Sequence, residues 1–580
     1  MKKSSSVLKV LKKIKPYSGY LVLATLSAVI SVSLTLYIPV LTGRAIDNII
    51  DTGNVNFENI TKILLLIGAG ILGVTVFQWI MTYFTNVVSY KTVRDLRREV
   101  FNKFNSVPLS YIDLNSHGDL ISRVINDVDA VGDGLTQMFL QLFSGVVTIL
   151  GTLVFMLMID WRIALTVVVL TPLSLFVAAF IGKLTHNRFA RQQALQGDIS
   201  SYVEEHVGNQ RIVKAFSYEQ RAFDEFEKYN KELYDVGFKA QFAGALANPS
   251  TRFVNAMVYA AVGIFGALTA ISGTLSVGQL SCFLTYANQY TKPFNEVTGV
   301  LTQLQTGIAA AGRVFDVLEA ENESPDNSDS PAIAECRGNV KIENVNFSYS
   351  KDKPLIQNFS LDVKSGSHIA IVGPTGCGKT TFINLLMRFY ETDSGKISID
   401  GTDIKKLTRD NLRKCYGMVL QDSWLFSGTI MENLRYGNEN ASDEEVISAA
   451  KAAYAHSFIR RMPQGYNTVI SEGGGNLSQG QKQLLCIARA MLTNPAILIL
   501  DEATSSIDTL TEIRVQKAFA KIMEGRTSFV VAHRLSTIKE SDVILVMKDG
   551  NIIEQGSHGE LLKMRGFYYT LYNSQFAKND

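Results

Sequence analysis

The sequence predicts a chain in two unlike parts: an all-α membrane domain of six transmembrane helices, followed by an α/β domain built on a phosphate-binding loop. Three observations carry that prediction. Six charge-poor runs crowd the stretch from Tyr20 to Tyr290. A polar segment, Glu321-Asn-Glu-Ser-Pro-Asp-Asn-Ser-Asp-Ser-Pro331, then separates them from a region in which no run could span a bilayer. In that region strand-like stretches such as His368–Val372 and Ala496–Leu500 alternate with helical patterns, as in a mainly parallel sheet covered by helices. The averages conceal the division: of 580 residues 47% are hydrophobic and 19% charged, with a formal net charge of +2. These values exclude a disordered chain, and 43 Gly with 12 Pro exclude a collagen-like one. The near-neutral balance gives no reason to expect nucleic acid as a partner.

The first run, Tyr20–Leu41, follows a lysine-rich start (Lys2, Lys3, Lys9, Lys12, Lys13, Lys15). The others are Ile63–Tyr90, Leu135–Ile159, Ile163–Ile181, Phe253–Leu275 and Val277–Tyr290. The last needs its continuation past Pro293 to reach the ~20 residues that a crossing helix requires. The basic start places the amino terminus in the cytoplasm. Arg44–Lys62 is then external, with Asp47, Asp51 and Glu58, and the next connection is internal, with Lys91, Arg94, Arg97, Arg98 and Lys103 near the membrane. Residues 182–242 are charged and helical, with Phe223, Phe226, Leu233 and Val236 on one face. As two antiparallel arms of ~30 residues they would reach ~45 Å at ~1.5 Å per residue. The expected domains are 1–319 in the membrane, a linker at 320–338, and an α/β domain at 339–580. The five cysteines (Cys282, Cys336, Cys377, Cys415, Cys486) form no close pair in the sequence, which fits reduced thiols better than a disulfide frame or zinc site.

Gly373-Pro374-Thr375-Gly376-Cys377-Gly378-Lys379-Thr380 matches the phosphate-loop pattern G-x-x-x-x-G-K-[ST], after an apolar strand and before a helix at Thr381. Its glycines let backbone N–H groups converge on phosphate oxygens, and the helix end adds positive potential. Lys379 would neutralise the β- and γ-phosphates, and Thr380 would ligate Mg2+. Ala496–Leu500 ends in Asp501-Glu502, two carboxylates at the edge of a buried strand. Asp501 suits the Mg2+ shell, through water, and Glu502 suits polarising an attacking water. This is a nucleoside triphosphate site.

Leu477-Ser478-Gln479-Gly480-Gln481 resembles the signature of ATP-binding cassette (ABC) transporters, and other motifs agree in order. Tyr349 in NFSY is similar to the aromatic that stacks on adenine, and Gln421 in VLQD to the glutamine that senses Mg2+ and the membrane domain. Ser505-Ser506-Ile507-Asp508 resembles the D-loop, and His533 in VAHRLST the switch histidine. Segments Tyr111–Asp127 and Glu204–Phe216 resemble intracellular loops of exporter-type members, where short coupling helices press on the nucleotide-binding domains. The resemblance implies a half-transporter, with an α/β P-loop nucleotide-binding domain (ABC ATPase) behind a six-helix membrane domain. It implies ATP held by Tyr349, Gly373 to Thr380 and Thr381, with Glu502, His533 and Gln421 serving hydrolysis. Mg2+ would lie at Thr380, Gln421 and Asp501.

In this family the signature of one cassette closes over ATP held by another, so one cassette per chain implies a dimer. The Ser478 hydroxyl and Gly480 N–H would complete the γ-phosphate cage in trans, beside Gln479 and Gln481. Gln479 departs from the usual Gly, and Ser471–Asn476 departs from the usual acidic-arginine loop. Both features resemble heterodimeric bacterial exporters with one degenerate site. With Lys379, Glu502 and His533 intact, this chain would be the competent subunit beside a second ABC half-transporter, a heterodimer rather than a homodimer. The implied function is ATP-driven efflux of amphipathic or drug-like small molecules by alternating access. The chain would be multi-pass in a bacterial cell membrane, in contact with the lipid bilayer, its amino terminus and cassette cytoplasmic. A dedicated lipid, peptide or siderophore exporter is the alternative, an ATP-gated channel a further one. Gln78, Asn86, Gln137, Gln141, Asn288, Gln289, Glu296 and Gln303 lie in or near the spans; they either line a cavity or bond helix to helix.

Overall fold

Charge-free sequence has no partner for its backbone in lipid except its own helix, and the runs are helical, save that the fifth leaves its helix at Ile271 and ends in a turn over 272–275. The computed structural model describes residues 2–51, 54–326, 336–350, 353–420, 423–501, 507–531 and 538–575. Gln421, Glu502, Ser505, Ser506 and His533 lie outside the described residues. The chain divides into two compact units, residues 1–105 with 115–320, and 106–114 with 321–580.

In the first unit α1 (Lys2–Ile14) and α2 (Ser18–Asp47) lead to a hairpin of β1 (Ile49–Asp51) and β2 (Asn54–Val55), then α3 (Phe57–Phe104). After α4 (Leu109–Leu114), which belongs to the second unit, a helical path runs from α5 (His117–Ser122) through α6 (Val128–Gln137) to α7 (Ser144–Ile159). Wider π-turns at Arg123–Asp127 and Met138–Phe143 join its pieces. The unit ends with α8 (Trp161–Gly208), α9 (Gln210–Ala215), α10 (Glu219–Ala245), α11 (Ala247–Ile271) and α12 (Val277–Leu318). Ser6–Asp47, Phe57–Phe104, His117–Ile159 and Glu219–Ile271 are long and apolar enough to cross a membrane. The fourth run lies on α8, apolar over Trp161–Thr171; the sixth lies on α12, which carries Pro293 inside it. With 48 residues, α8 is ~72 Å long, far more than the ~30 Å hydrocarbon layer needs. It runs against α10 as a long arm.

Small residues and polar clasps close this unit. A Cβ on Gly278 would lie 2.0 Å from the Gly43 carbonyl oxygen, so α2 and α12 meet backbone to backbone. There Asp47 accepts hydrogen bonds from the Ser276 hydroxyl and the Gly278 N–H, each 2.7 Å. Gly134 and Gly307 make a similar close crossing of α6 on α12. Arg313 Nε donates to the buried Asp127 at 2.8 Å.

The second unit opens with β3 (Val340–Phe347) and β4 (Ile356–Val363), whose alternating burial marks strands covered on one face. β5 (His368–Val372), α13 (Lys379–Leu386), β6 (Ser394–Ile399), β7 (Thr402–Asp403), α14 (Arg409–Lys414) and β8 (Tyr416–Val419) follow. Next come β9 (Gly428–Thr429), α15 (Ile430–Arg435), α16 (Asp443–Ala452), α17 (His456–Ile459), β10 (Val469–Ile470) and α18 (Gln479–Thr493). β11 (Ile497–Asp501), α19 (Thr509–Met523), β12 (Thr527–Val531), β13 (Val543–Lys548) and β14 (Asn551–Gly556) complete the sheets, before two short helices, His558–Met564 and Phe567–Gln575. The main sheet has the order β14-β13-β5-β12-β11-β8 and is parallel except at β14. Its central strands are buried on both faces, as a sheet covered by helices demands. A separate antiparallel sheet, β4-β3-β6-β7, was not expected from the sequence. Phe359, Phe382 and Phe529 link the two sheets through α13, with ring centroids 5.0 and 5.8 Å apart.

Two features tie the start of this unit down. Buried Arg409 bonds Asp326 and the Ser324 carbonyl at 2.7 Å each, and its N–H donates to Asp326 at 2.8 Å. Cys336 and Cys415 are neighbours in the fold though far apart in sequence, and the nearby Cys415 thiol with burial holds Cys336 above its ordinary pKa. All five cysteines are free thiols.

Candidate functional site

The phosphate loop lies between β5 and α13. β5 is an inner strand, flanked by β13 and β12 in parallel register, so its carboxyl end is a rigid launching point. Gly373 leaves it where no side chain fits: a Cβ would lie 2.2 Å from the Met547 carbonyl oxygen and 2.7 Å from Cys377 Sγ. Gly376 and Gly378 have φ of +82° and +103°, open to glycine at little cost. Pro374, Thr375, Gly376 and Thr380 are exposed, while Cys377 and Gly378 are buried. The Cys377 carbonyl accepts from Gly550 N–H at 3.0 Å, which pins the loop to the β13–β14 turn. Lys379 folds back over the loop, its ammonium donating to the Gly373 and Pro374 carbonyls at 2.8 and 3.1 Å. A flexible cation lies over exposed backbone at a helix start, an arrangement suited to phosphate.

Two strands away, β11 carries Asp501 at its carboxyl end, in register with Val531 of β12. Val531 pairs in turn with Ile371 of β5, so Asp501 and the phosphate loop share one edge of the sheet. β8, β11 and β12 end two, one and two residues before Gln421, Glu502 and His533 in the sequence. Among the described residues no group of three His, Cys, Asp or Glu could hold a metal ion by itself. A magnesium ion at Thr380 and Asp501 would therefore draw further ligands from the nucleotide, as Mg2+ bound with phosphates ordinarily does.

The signature forms the start of α18. Ser478 is its N-cap: its Oγ accepts from Gln481 N–H at 3.3 Å while Gln481 Oε1 accepts from Ser478 N–H at 3.0 Å, a capping box. The Ser478 oxygen thus accepts one bond within the chain, and its O–H remains a donor. Gly480 is buried, and a Cβ there would lie 2.3 Å from Thr511 Cγ2, so the turn seats closely on α19. Gln479 is exposed and costs this unit nothing. Asp508, the acid of the segment that resembles the D-loop, caps α19 by accepting from Thr511 N–H at 2.9 Å, and that bond holds its carboxyl below the usual range. In the loop before the signature, Gly473 and Gly474 have φ of +64° and +70°, and Lys482 donates to the Gly473 carbonyl at 2.7 Å.

Tyr349 is 53% exposed and stands beside the loop, its hydroxyl 3.1 Å from Thr381 Oγ1. Its ring meets Phe347 and Tyr390 edge-on. Tyr390, which sequence reasoning passed over, donates its hydroxyl to Asp113 on α4. Burial and the Asp113 carboxylate push this phenol above its ordinary pKa, so it remains a proton donor. The signal was present as RFY388–390 after NFSY346–349, but only folding brings the two together.

Comparison with known proteins agrees with this geometry. Residues 21–294 match the family described as ABC transporter transmembrane region, and residues 356–505 that described as ABC transporter. An uncharacterised ABC transporter ATP-binding protein of Bacillus subtilis is 42% identical over 560 residues, 97% of this chain and 92% of that protein. A fatty acid ABC transporter ATP-binding/permease protein of Mycobacterium tuberculosis is 41% identical over 524 residues, 90% of this chain and 83% of that one. An ATP-dependent lipid A-core flippase of Syntrophus aciditrophicus is 34% identical over 572 residues, 98% and 94% of the two chains. Among solved structures, a bacterial Atm1-family ABC exporter with ATP bound superposes with a TM-score of 0.79 at 29% identity, covering 97% of this chain and 99% of that one. The chain belongs to the ABC transporters, as an exporter half-transporter in which a helical transmembrane domain precedes an ABC ATPase domain. Its ATPase domain binds ATP, and hydrolysis there is coupled to transport across a membrane.

Proposed function

We propose that this half-transporter exports amphipathic compounds across a bacterial cytoplasmic membrane by alternating access, with acyl-chain lipids as the favoured class. The observation that carries the ATP-driven part is the phosphate loop, with Lys379 across the Gly373 and Pro374 carbonyls. On ATP entry the ammonium exchanges those carbonyls for β- and γ-phosphate oxygens, while exposed N–H groups of the loop cradle the rest. Tyr349 stacks on adenine. Thr380, Gln421 and Asp501 would hold Mg2+, which when bound would supply positive charge beside the phosphates. Glu502 polarises the attacking water and His533 contacts the γ-phosphate. The basic residues before α2 and at the end of α3 support an amino terminus and cassette on the cytoplasmic side.

The acyl class rests on relatives named for fatty acid and for lipid A-core transport. The helix surfaces suit it: they offer apolar area with sparse polar groups. One is Gln289, half-buried on α12, whose Oε1 has no hydrogen-bond partner among the described residues. A group left so in an apolar span calls for a ligand or helix to complete it. Drug-like amphipaths share this chemistry and form the second substrate class. Transport into inverted vesicles of a fluorescent fatty acid, set against a cationic dye, decides between them; dye accumulation without fatty acid accumulation sinks the acyl reading.

The partner is proposed to be a different half-transporter. Gln479 is harmless within its own chain, so its consequence falls on the ATP site it would face across a dimer. A side chain there crowds the backbone approach to phosphate, which suits a site that binds ATP but hydrolyses it slowly. Vigorous ATPase and transport by this chain purified alone in lipid would establish a homodimer instead.

A further inference from the structure

Residues 106–114 join α3 to the helical path that starts at His117, and so are covalently held between two membrane helices, yet they group with the second unit. Within that unit the segment is fastened at both ends. The Ser106 carbonyl accepts from Glu323 N–H at 2.7 Å, and Asp113 accepts from the Tyr390 hydroxyl. Tyr390 in turn belongs to a closed triangle of rings. It meets Tyr349 at 5.1 Å and 88°, and Phe347 at 5.7 Å and 74°, while Phe347 meets Tyr349 at 4.9 Å and 83°. Phe347 is buried in the core and sets the base of the triangle. Tyr349 is its exposed corner, and the Tyr349 hydroxyl reaches Thr381 on the first turn of α13.

We infer that Tyr390 is a positioning residue that links the seating of segment 106–114 on Asp113 to the stacking of adenine on Tyr349. The inference rests on the reading of Tyr349 as the adenine platform. Edge-to-face pairs hold a preferred angle, so a base that fixes the tilt of Tyr349 also fixes the tilt of Tyr390. The Tyr390 hydroxyl is a charge-assisted donor to a carboxylate, and such a bond weakens steeply with misalignment. Adenine occupancy therefore tightens the hold on Asp113. By thermodynamic reciprocity a seated segment tightens ATP binding by the same factor. Simple packing of the three rings would predict something else: loss of the hydroxyl would lower stability and leave nucleotide and segment independent.

Hydrogen exchange on the full-length protein in lipid nanodiscs, with and without ATP, tests this. In the unmodified protein ATP should slow exchange at residues 109–114 about tenfold, a coupling of ordinary size. Tyr390→Phe keeps all three ring contacts and removes only the hydroxyl. It should still bind ATP, within about tenfold of the unmodified affinity, while ATP no longer protects 109–114. Asp113→Ala should do the same, and the double variant should be no worse than either single one. Protection of 109–114 by ATP in Tyr390→Phe, or additive losses in the double variant, would overturn the linkage. ATP binding by the unmodified protein with no change at 109–114 sinks the linkage alone. Failure of the unmodified protein to bind ATP sinks the nucleotide-site reading and this one with it.

Discussion

Gly373→Ala isolates the loop geometry. The added Cβ would lie 2.2 Å from the Met547 carbonyl oxygen, 2.7 Å from Cys377 Sγ and 3.2 Å from the Met547 carbonyl carbon. Two of these three neighbours are backbone of β13, which is locked in the sheet between β5 and β14, so neither can rotate away. Restoring ordinary contact at ~3.5 Å moves the loop by about 1 Å. Overpacking of this kind costs about 1–3 kcal/mol in stability, which a sheet this well buried survives. A displacement near 1 Å costs about 100-fold in turnover when it moves a positioning group. The loop binds the nucleotide as well, so ATP affinity should fall along with turnover. The assay is fluorescent ATP-analogue binding beside ATPase in lipid, with thermal unfolding as the control for folding. Adding Cys377→Ala clears only the sulfur contact and should not rescue the loss. Unchanged ATP affinity in a folded Gly373→Ala protein, or full rescue by Cys377→Ala, would show that the approach of Gly373 to the β13 backbone does not set the loop.

Other expectations follow from the same contacts. Lys379→Ala should weaken ATP binding at least tenfold and abolish turnover, with the melting transition little changed, because among the described residues the ammonium bonds only atoms of the loop itself. Asp326→Ala removes two bonds to buried Arg409, each charge-assisted, and should cost about 2–4 kcal/mol, seen as a melting transition lowered by about 4–16 °C. Gly480→Ala, crowded at 2.3 Å by Thr511, should leave ATP affinity at the chain's own phosphate loop within about twofold while lowering the ATP-closed dimer population read by cross-linking. Gln289→Leu should shift substrate stimulation of ATPase towards less polar acyl compounds and leave basal ATPase unchanged.

Sequence reading reached furthest where chemistry demands residue types at fixed spacing. The loop Gly373–Thr380 and the strand ending in Asp501 are such cases, because backbone approach to phosphate needs glycine and a strand edge needs its buried aliphatics. Charge-free runs were legible for the same kind of reason: lipid excludes charge. What sequence could not show depends on contacts far apart along the chain. Asp113 and Tyr390 are separated by 277 positions; the resemblance of Tyr111–Asp127 to an intracellular loop marks a segment that presses on a nucleotide-binding domain, but the pairing of Asp113 with Tyr390 is visible only in three dimensions. The antiparallel sheet β4-β3-β6-β7 escaped because its strands are broken by bulges and by inserted elements. Ser478 to Gln481 shows the opposite difficulty. Its S-x-x-Q pattern is both a transporter signature and a plain capping box, and the structure displays the second while leaving the first to a partner.

Hydrolysis at this cassette is proposed to drive an amphipath uphill. Inverted membrane vesicles containing this chain and its partner, supplied with Mg-ATP and a fluorescent fatty acid, test it most directly. Luminal accumulation above the external concentration is expected, lost in Lys379→Ala and not supported by an ATP analogue that resists hydrolysis. Flux that merely equilibrates the two sides, or that persists in Lys379→Ala, would contradict it.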